Sequence, residues 1–289
     1  MRLQIAPITF FLFAATLLSC NKIENPIIDI PPYREDLYGP VPEFPSNSVV
    51  KQRVLLEDFT GHECGNCTYA HDAARSILED NSDRVAVIAI HAGTLAAPFL
   101  PKYPADYRTP EGTYYLLTQV GSDVLPKGRI NRTPNAKTVS NYQDWSAQVG
   151  AALQSVPQAD LRIISSFESS SNVANIHINT QWKNNYNGNV RLVTLIIENG
   201  IIGTQLNYQN GFSAPPDTAY HHEHMLRGSV TGATGIEAFQ SPLAGTEKTY
   251  SYTYNWNTNW IPENCEVVAF LTNGLDGEVI NVAKTKVIP

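Results

Sequence analysis

The sequence predicts an α/β unit followed by an all-β unit, and three observations carry this prediction. Residues 54–90 have the pattern of a buried strand, an amphipathic helix and a second buried strand. After Pro157, short apolar segments recur between turn dipeptides such as Asn187-Gly188 and Asn273-Gly274. No helical period is found in that second part. Alternating helices and strands favour a parallel sheet, whereas many short strands favour an antiparallel sandwich.

In the first unit, apolar residues of the expected helix recur at the spacing of one helical face, at Ala70, Ala73, Ala74, Ile77 and Leu78. They lie between two apolar runs, Val54-Leu55-Leu56 and Val85 to Ile90, which predicts a βαβ unit. Residues 92–113 have the composition of an insertion. Further elements are predicted in chain order: a helix at 114–120, an edge strand at 128–131 and a helix at 145–153.

In the second unit, residues alternate between apolar and polar as they do on half-buried strands. Tyr250, Tyr252, Tyr254 and Trp256 alternate with Ser, Thr and Asn. The pattern predicts an immunoglobulin-like β-sandwich over residues 157–289. Its strands are predicted at 161–167, 173–182, 190–198, 220–230, 249–256, 267–271 and 279–286.

The N-terminus predicts export. Arg2 precedes an apolar run of about 14 residues, shorter than the roughly 20 that a membrane-spanning helix needs. Leu17-Leu18-Ser19-Cys20 resembles the lipobox of bacterial lipoproteins, which implies a signal peptide at 1–19 and a lipid on Cys20. The alternative is a plain secretory signal with an incidental cysteine.

The mature chain is mildly acidic and begins with a proline-rich stretch. The formal net charge of the whole chain is -7, without a lysine or arginine cluster, which argues against nucleic acid as a partner. Residues 20–50 contain six prolines and predict a tether between the lipid and the folded part, with the membrane contacted through the lipid only. The first folded unit is predicted at 51–156.

Besides Cys20, the chain has Cys64, Cys67 and Cys265. An exported protein meets oxidising conditions, so the close pair can form a disulfide. Its loop is too short to stabilise the chain much by entropy, which makes chemistry the better reason for it. Cys265 opens an apolar strand and is predicted to be a buried free thiol. The alternative is that it acts as a resolving cysteine.

Residues 56–67 resemble the active-site segment of thioredoxin, with Asp58, Phe59, Cys64, Gly65 and Cys67 in register. The resemblance implies a thioredoxin-like domain in which Cys64 is the nucleophile and Cys67 resolves the mixed disulfide. It also implies that Asp58 moves the proton.

A proline that seats the substrate is the remaining part of that site, and Pro126 lies in the corresponding place. The chain departs from the pattern at Glu63, where tryptophan is usual, and at Asn66, where proline is frequent. A carboxylate at position 63 disfavours the Cys64 thiolate. The alternatives are a structural or idle disulfide, or a zinc site built on the pair.

Three segments together resemble the twenty-eight-kilodalton outer-membrane lipoprotein family of Gram-negative anaerobes. They are Glu-Asp-Phe-Thr-Gly-x-x-Cys-x-Asn-Cys at 57–67, Pro-x-Gly-x-Ile-Asn-Arg at 126–132 and Tyr-His-x-x-His-x-Leu-Arg at 220–227. The resemblance covers nearly the whole mature chain and implies an outer-membrane location. Adhesion is among the roles suggested for the family.

The histidines of the third segment suggest a metal site. On a continuous strand His222 and His224 share one face, and two imidazoles bind zinc when a third ligand is supplied. The alternative, which we favour, is that these rings cover a sheet face or contact the first unit. No cofactor is predicted.

Two functions follow from the sequence. One is an envelope thiol–disulfide oxidoreductase that acts on envelope proteins through Cys64 and Cys67. The other is a binding or adhesion lipoprotein, in which the sandwich recognises the partner and the first unit is a scaffold.

Overall fold

A computed structural model describes residues 30, 32–45, 50–81, 83–122, 124–274 and 277–289. The predicted signal peptide at 1–19 and the lipidation site Cys20 lie outside these residues.

Strands outnumber helices in the described part of the chain. Their bounds are β1 (Val54–Thr60), β2 (Val85–His91), β3 (Lys127–Ile130), β4 (Ala159–Glu168), β5 (Val173–Trp182), β6 (Asn189–Glu198), β7 (Ile201–Gln205), β8 (Asp217–His222), β9 (Met225–Ser229), β10 (Ile236–Gln240), β11 (Glu247–Asn255), β12 (Cys265–Asn273) and β13 (Val279–Lys286). The protein therefore has a mixed α/β structure dominated by β-sheet.

The helices are short, with bounds α1 (Glu35–Tyr38), α2 (Cys67–Asp80), α3 (Pro110–Tyr114) and α4 (Trp145–Ala152). A π-helical turn, Tyr115–Val120, continues from α3. None of the helices in the described ranges is both long and apolar enough to cross a membrane.

One eight-stranded sheet contains strands from both parts of the chain. Its order is β13-β12-β6-β9-β2-β1-β3, and β10 also pairs with β6. β1 and β2 are parallel, as the βαβ pattern predicts, and β3 is antiparallel to β1 at the edge. The two parts meet where β2 pairs with β9 at a single position, Ala89 opposite Met225. This sheet crosses the predicted domain boundary at 156/157 without a break.

Both faces of the sheet are covered. On one face, α2 and α4 pack over β1 and β2 through residues such as Ala70, Ile77 and Trp145. Farther along the same sheet, the three-stranded sheet β11-β5-β4 packs against β6, β12 and β13, with Trp182 in the shared core. On the other face, Tyr115 and Leu116 pack against β1, β2, β6 and β12. Every residue of β1 is consequently buried.

β1 carries one buried acidic side chain on each face of the sheet. Adjacent side chains of a strand point to opposite faces, and Glu57 points to the face covered by Tyr115. There its carboxylate accepts hydrogen bonds from Arg129 and Arg132, both at 2.7 Å. Burial alone would raise the pKa of Glu57, but the two guanidinium groups lower it to about 2. Glu57 is thus a buried ion, and its charge is balanced on its own face.

The Pro-x-Gly-x-Ile-Asn-Arg segment has a structural explanation. Gly128 lies against the Trp145 indole, where an added Cβ would be 2.3 Å from a ring carbon. Asn131 makes two hydrogen bonds with the backbone of Leu55: its own N–H donates to the Leu55 carbonyl, and its side-chain oxygen accepts from the Leu55 N–H. Arg132 binds Glu57. This segment fastens β3 to β1 and closes the ion cluster.

The structure corrects one strand of the second part. The predicted strand 220–230 is interrupted: β8 ends at His222, β9 begins at Met225, and His224 between them has a φ of 55°. β7 and β10 were missed because their short segments lack regular alternation. Within the predicted tether, residues 32–45 contact the three-stranded sheet, for example through the Arg34 N–H, which donates to Thr253.

Candidate functional site

The cysteine pair lies where β1 passes into α2. Cys64 and Cys67 form a disulfide, with 5.3 Å between their Cα atoms. The N–H of Cys67 donates to the carbonyl of Cys64, which makes the turn that begins α2. Unpaired backbone N–H groups at a helix start favour a thiolate there. The disulfide predicted from the sequence is therefore present, at the start of a helix.

A segment from the second part of the chain lies over this turn; we call residues 205–212 the cover segment. The Leu206 N–H donates to the carbonyl of His62 at 2.7 Å, and the Tyr208 N–H donates to that of Gly65. The Tyr208 ring lies so close to Gly65 that an added Cβ would be 2.6 Å from it. Only 4% of Cys64 is exposed. The cover segment thus shields the disulfide from solvent.

The insertion at 92–113 forms the wall on the other side of the turn. His62 stacks on Tyr103 and its Nε2 donates to the carbonyl of Ala97 at 2.9 Å. The N–H of Glu63 donates to the carbonyl of Leu95. Gly61 is required here, since an added Cβ would lie 2.5 Å from that same carbonyl oxygen. Backbone contacts on both sides therefore fix the turn before Cys64.

Asp58 points to the α2 face of the sheet, opposite to Glu57. Its side chain is 2% exposed, and its Oδ1 has no hydrogen-bond partner among the described residues. Burial without a cationic partner raises the pKa of Asp58 to about 8. At neutral pH this side chain is consequently a carboxylic acid that can give or take a proton.

His71 is the neighbour of Asp58 on α2. It lies four residues after Cys67, so both side chains share one face of the helix. Its Nε2 is 3.8 Å from Oδ2 of Asp58 and 2.9 Å from the Thr60 hydroxyl. Its Nδ1 is 2.7 Å from the hydroxyl of Tyr220 on β8. Burial, followed by the charge of Arg75, lowers the pKa of His71 to about 4. The 3.8 Å contact therefore joins two neutral groups and is not an ion pair.

A cavity of about 60 Å³ lies between Asp58, α2 and β8, which is room for a few water molecules. Its ionisable lining residues besides Asp58 are His71, Arg75, His91, Tyr220, His221, His222, Glu223 and His224. The cavity thus connects the acid beneath α2 with side chains from the second part of the chain.

The predicted metal ligands His222 and His224 both line this cavity. His222 packs against the rings of His91 and Tyr107, at centroid distances of 5.3 and 5.1 Å. Burial above all lowers the pKa of His222 to about 3 and that of His224 to about 4. Among the described residues, no three His, Cys, Asp or Glu side chains are placed to hold a metal ion. The His222 ring thus contacts side chains of the first part of the chain, His91 and Tyr107.

The remaining predicted residues lie in two places. Lys127 pairs with Phe59, so Pro126 lies at the edge of the sheet where β1 ends and the cysteine turn begins; its bond to Leu125 is cis. Cys265 is a buried free thiol in the core between the eight-stranded and the three-stranded sheet. Burial raises the pKa of this thiol.

Sequence reasoning missed three parts of this site. The position of His71 four residues after Cys67 is a readable signal, since i and i+4 share a helix face. Tyr220 was noticed only as part of a histidine-rich segment. No sequence pattern points to the cover segment, because its contacts are with backbone atoms nearly 150 positions away.

Comparison with known proteins identifies one family and several similar solved structures. The family model "Outer membrane protein Omp28" matches residues 114–289. No curated protein sequence matches the chain. The structure of HBP35 of Porphyromonas gingivalis is similar, with a TM-score of 0.63, 15% identity, and coverage of 83% of this chain and 76% of that one.

Two further solved structures are similar over different lengths. One is a protein from Agrobacterium tumefaciens, with a TM-score of 0.50, 14% identity, and coverage of 84% of this chain and 96% of that one. The other is a domain of the outer membrane lipoprotein Omp28 from Porphyromonas gingivalis, with a TM-score of 0.30, 17% identity, and coverage of 47% and 92%. At these identities the first two likenesses show a shared fold alone.

The first prediction concerns pH and the two adjacent carboxyl groups. Asp58 has a pKa raised from 3.8 to about 8, so the folded protein binds its proton more tightly and loses stability as pH rises through that window. Asp58→Asn removes this loss. We expect the free energy of unfolding of the variant, relative to wild type, to rise by about 1.4 kcal/mol per pH unit between 4 and 8. Urea unfolding of the oxidised proteins across that range measures it.

Glu57→Gln is the matched control, because the pKa of Glu57 is shifted the other way, from 4.5 to about 2. Its stabilisation is present above pH 4.5 and is lost as pH falls through 2. The variant leaves two buried guanidinium groups without their carboxylate. We therefore expect its free energy of unfolding at pH 7 to be about 3–5 kcal/mol lower than that of wild type. An Asp58→Asn difference that does not change between pH 4 and 8 would contradict our assignment of Asp58.

The second prediction concerns the cover segment. Tyr208→Ala removes the ring over Gly65 and its contact with Phe212, whose centroid is 4.6 Å away. We expect reduction of the disulfide by dithiothreitol to accelerate about tenfold, which corresponds to roughly 1.4 kcal/mol of lost contacts. Ile202→Ala is the control, since Ile202 is exposed on the same hairpin and should leave the rate unchanged. Equal rates for wild type and Tyr208→Ala would show that the segment does not protect Cys64.

Proposed function

This chain belongs to the Omp28 family of outer membrane proteins, and from that premise we propose that it is a thiol–disulfide oxidoreductase of the cell envelope. The observation that carries the proposal is the pairing of a Cys64–Cys67 disulfide at the start of α2 with an uncharged, buried Asp58 beneath the same helix. A purely structural disulfide has no use for such an acid. Strongly shifted carboxyl groups in a cavity are typical of sites that move protons.

Each residue then has one role in a reduction cycle. Cys64 attacks a substrate disulfide, forms a mixed disulfide with one substrate sulfur and releases the other as a thiolate. Asp58 first loses its proton to solvent, and the carboxylate so formed takes the proton of Cys67. The Cys67 sulfur then attacks Cys64, which re-forms the protein disulfide and releases the second substrate thiolate. A dithiol donor in the envelope reduces the protein again. Pro126, at the edge of the turn, helps to seat the substrate.

We propose the finer fold on the same grounds. Residues 51–156 are a thioredoxin-like domain, supported by the parallel β1–α2–β2 unit, the antiparallel β3 and the cysteine pair at the helix start. Residues 157–289 are an immunoglobulin-like sandwich, supported by the core between the three-stranded sheet and β6, β12 and β13. The lipid on Cys20 and the tether over 20–50 place both units at the outer membrane.

The burial of the disulfide favours a second candidate function. With Cys64 4% exposed and Tyr208 over the turn, a substrate reaches the sulfur only after the cover segment moves. The second candidate is a binding or adhesion lipoprotein in which the first unit is a scaffold and the sandwich recognises the partner. In that case the disulfide stays closed throughout the protein's working life.

Trapping in cells distinguishes the two functions. Cys67→Ala removes the resolving cysteine, so mixed disulfides between Cys64 and envelope proteins should accumulate. They are detected on a non-reducing gel as bands that disappear when a reducing agent is added. The control is the double variant Cys64→Ala, Cys67→Ala, which should form none. The purified wild type should also reduce insulin disulfides with dithiothreitol as donor. Absence of both adducts and insulin reduction would overturn the oxidoreductase and favour the binding function.

A further inference from the structure

The buried acid needs a path for its proton. Asp58 is 2% exposed, and α2, β2 and the strands around it separate its carboxyl from solvent. A carboxyl that takes the Cys67 proton once per cycle must release it before the next one. From Asp58 toward solvent, the contacts pass first to His71 on α2 and then to Tyr220 on β8.

We propose that His71 and Tyr220 form a proton route between Asp58 and solvent, which serves the Cys67 step of disulfide exchange. This rests on the proposed function. His71 has one nitrogen toward Asp58, at 3.8 Å from Oδ2, and the other at 2.7 Å from the Tyr220 hydroxyl. A water in the adjoining cavity, or a small rotation of either side chain, closes the 3.8 Å distance. His71 is 14% exposed and Tyr220 is half-buried, so the route ends at the surface.

The imidazole is suited to this transfer because it is neutral. It accepts the Asp58 proton at Nε2 and gives the proton on Nδ1 to the Tyr220 oxygen, which passes its own proton to solvent. After the step the imidazole and the phenol are again neutral, and the negative charge that remains is on the Asp58 carboxylate, which is ready for the proton of Cys67. Two other charged side chains line the cavity: Arg75 on α2, which is paired with Asp72, and Glu223, whose carboxylate accepts from the Gly200 N–H. The remaining ionisable groups there are the rings of His91, His221, His222 and His224.

His71 also lies where it would act on Cys67 and not on Cys64. Cys67 and His71 are one helical turn apart on the same face of α2, and His71 lies against Asp58. Cys64 lies before the helix, between the cover segment and the wall of residues 92–113. The route therefore predicts an effect on the second chemical step alone. A role that only fastens β8 to α2 through the Tyr220–His71 bond would affect both steps or neither.

The two steps are separable with the fully reduced protein and excess dithiobis-nitrobenzoate in stopped flow. The first nitrothiobenzoate is released when Cys64 attacks, and the second when Cys67 displaces it from Cys64. We expect His71→Phe to leave the first release unchanged and to slow the second about tenfold, at the low end for general acid–base groups. Tyr220→Phe keeps the ring, removes the hydroxyl and should act in the same direction. Wild type should show a larger solvent deuterium effect on the second release than either variant.

His177→Phe is the control, because His177 is also buried and bonded to a hydroxyl, that of Ser251, but lies in the three-stranded sheet. It should change neither step. A second release as fast in both variants as in wild type overturns the route and leaves the oxidoreductase standing. Equal slowing of both releases also overturns it, in favour of a structural role. If reduced wild type gives one release only, Cys67 does not resolve and the oxidoreductase itself fails.

Discussion

The complete burial of β1 is the constraint on which the rest of the structure depends. A strand buried on both faces carries apolar side chains almost throughout, yet this one has two adjacent carboxyl groups in its middle, Glu57 and Asp58. Alternation sends them to opposite faces, and each face treats its acid differently. Two arginines keep Glu57 charged, with a pKa of about 2, whereas Asp58 has no cation and a pKa of about 8. One strand thus holds a charged carboxylate and an uncharged carboxylic acid side by side.

The two parts of the chain depend on each other at this strand. The second part supplies Tyr220 beside His71 and the cover segment over Cys64, and its strands continue the sheet through β9. An isolated first part would expose the disulfide and lose Tyr220, the outer end of the proposed proton route. The second part of the chain therefore belongs to the proposed redox site, because its cover segment lies over Cys64.

Much of this could be predicted from the sequence, and the exceptions have physical causes. Regular periodicity predicted β1, α2, β2, β5 and β13, and the spacing of the two cysteines predicted the disulfide. Both signals depend only on residues that are close together in the sequence. The break between β8 and β9 was missed because His224 adopts a positive φ that its residue type does not announce. The roles of Tyr220 and the cover segment depend on packing between distant segments, which periodicity does not encode.

The central claim is that Asp58 is an uncharged acid at neutral pH beneath the closed disulfide. The direct measurement is the side-chain carboxyl ¹³C chemical shift of Asp58 in the oxidised protein, assigned by comparison with Asp58→Asn and followed from pH 4 to 10. We expect a single titration with a pKa near 8. A titration near the ordinary aspartate value of about 3.9 would contradict it, because the acid would then be a charged group with a partner that we have not identified.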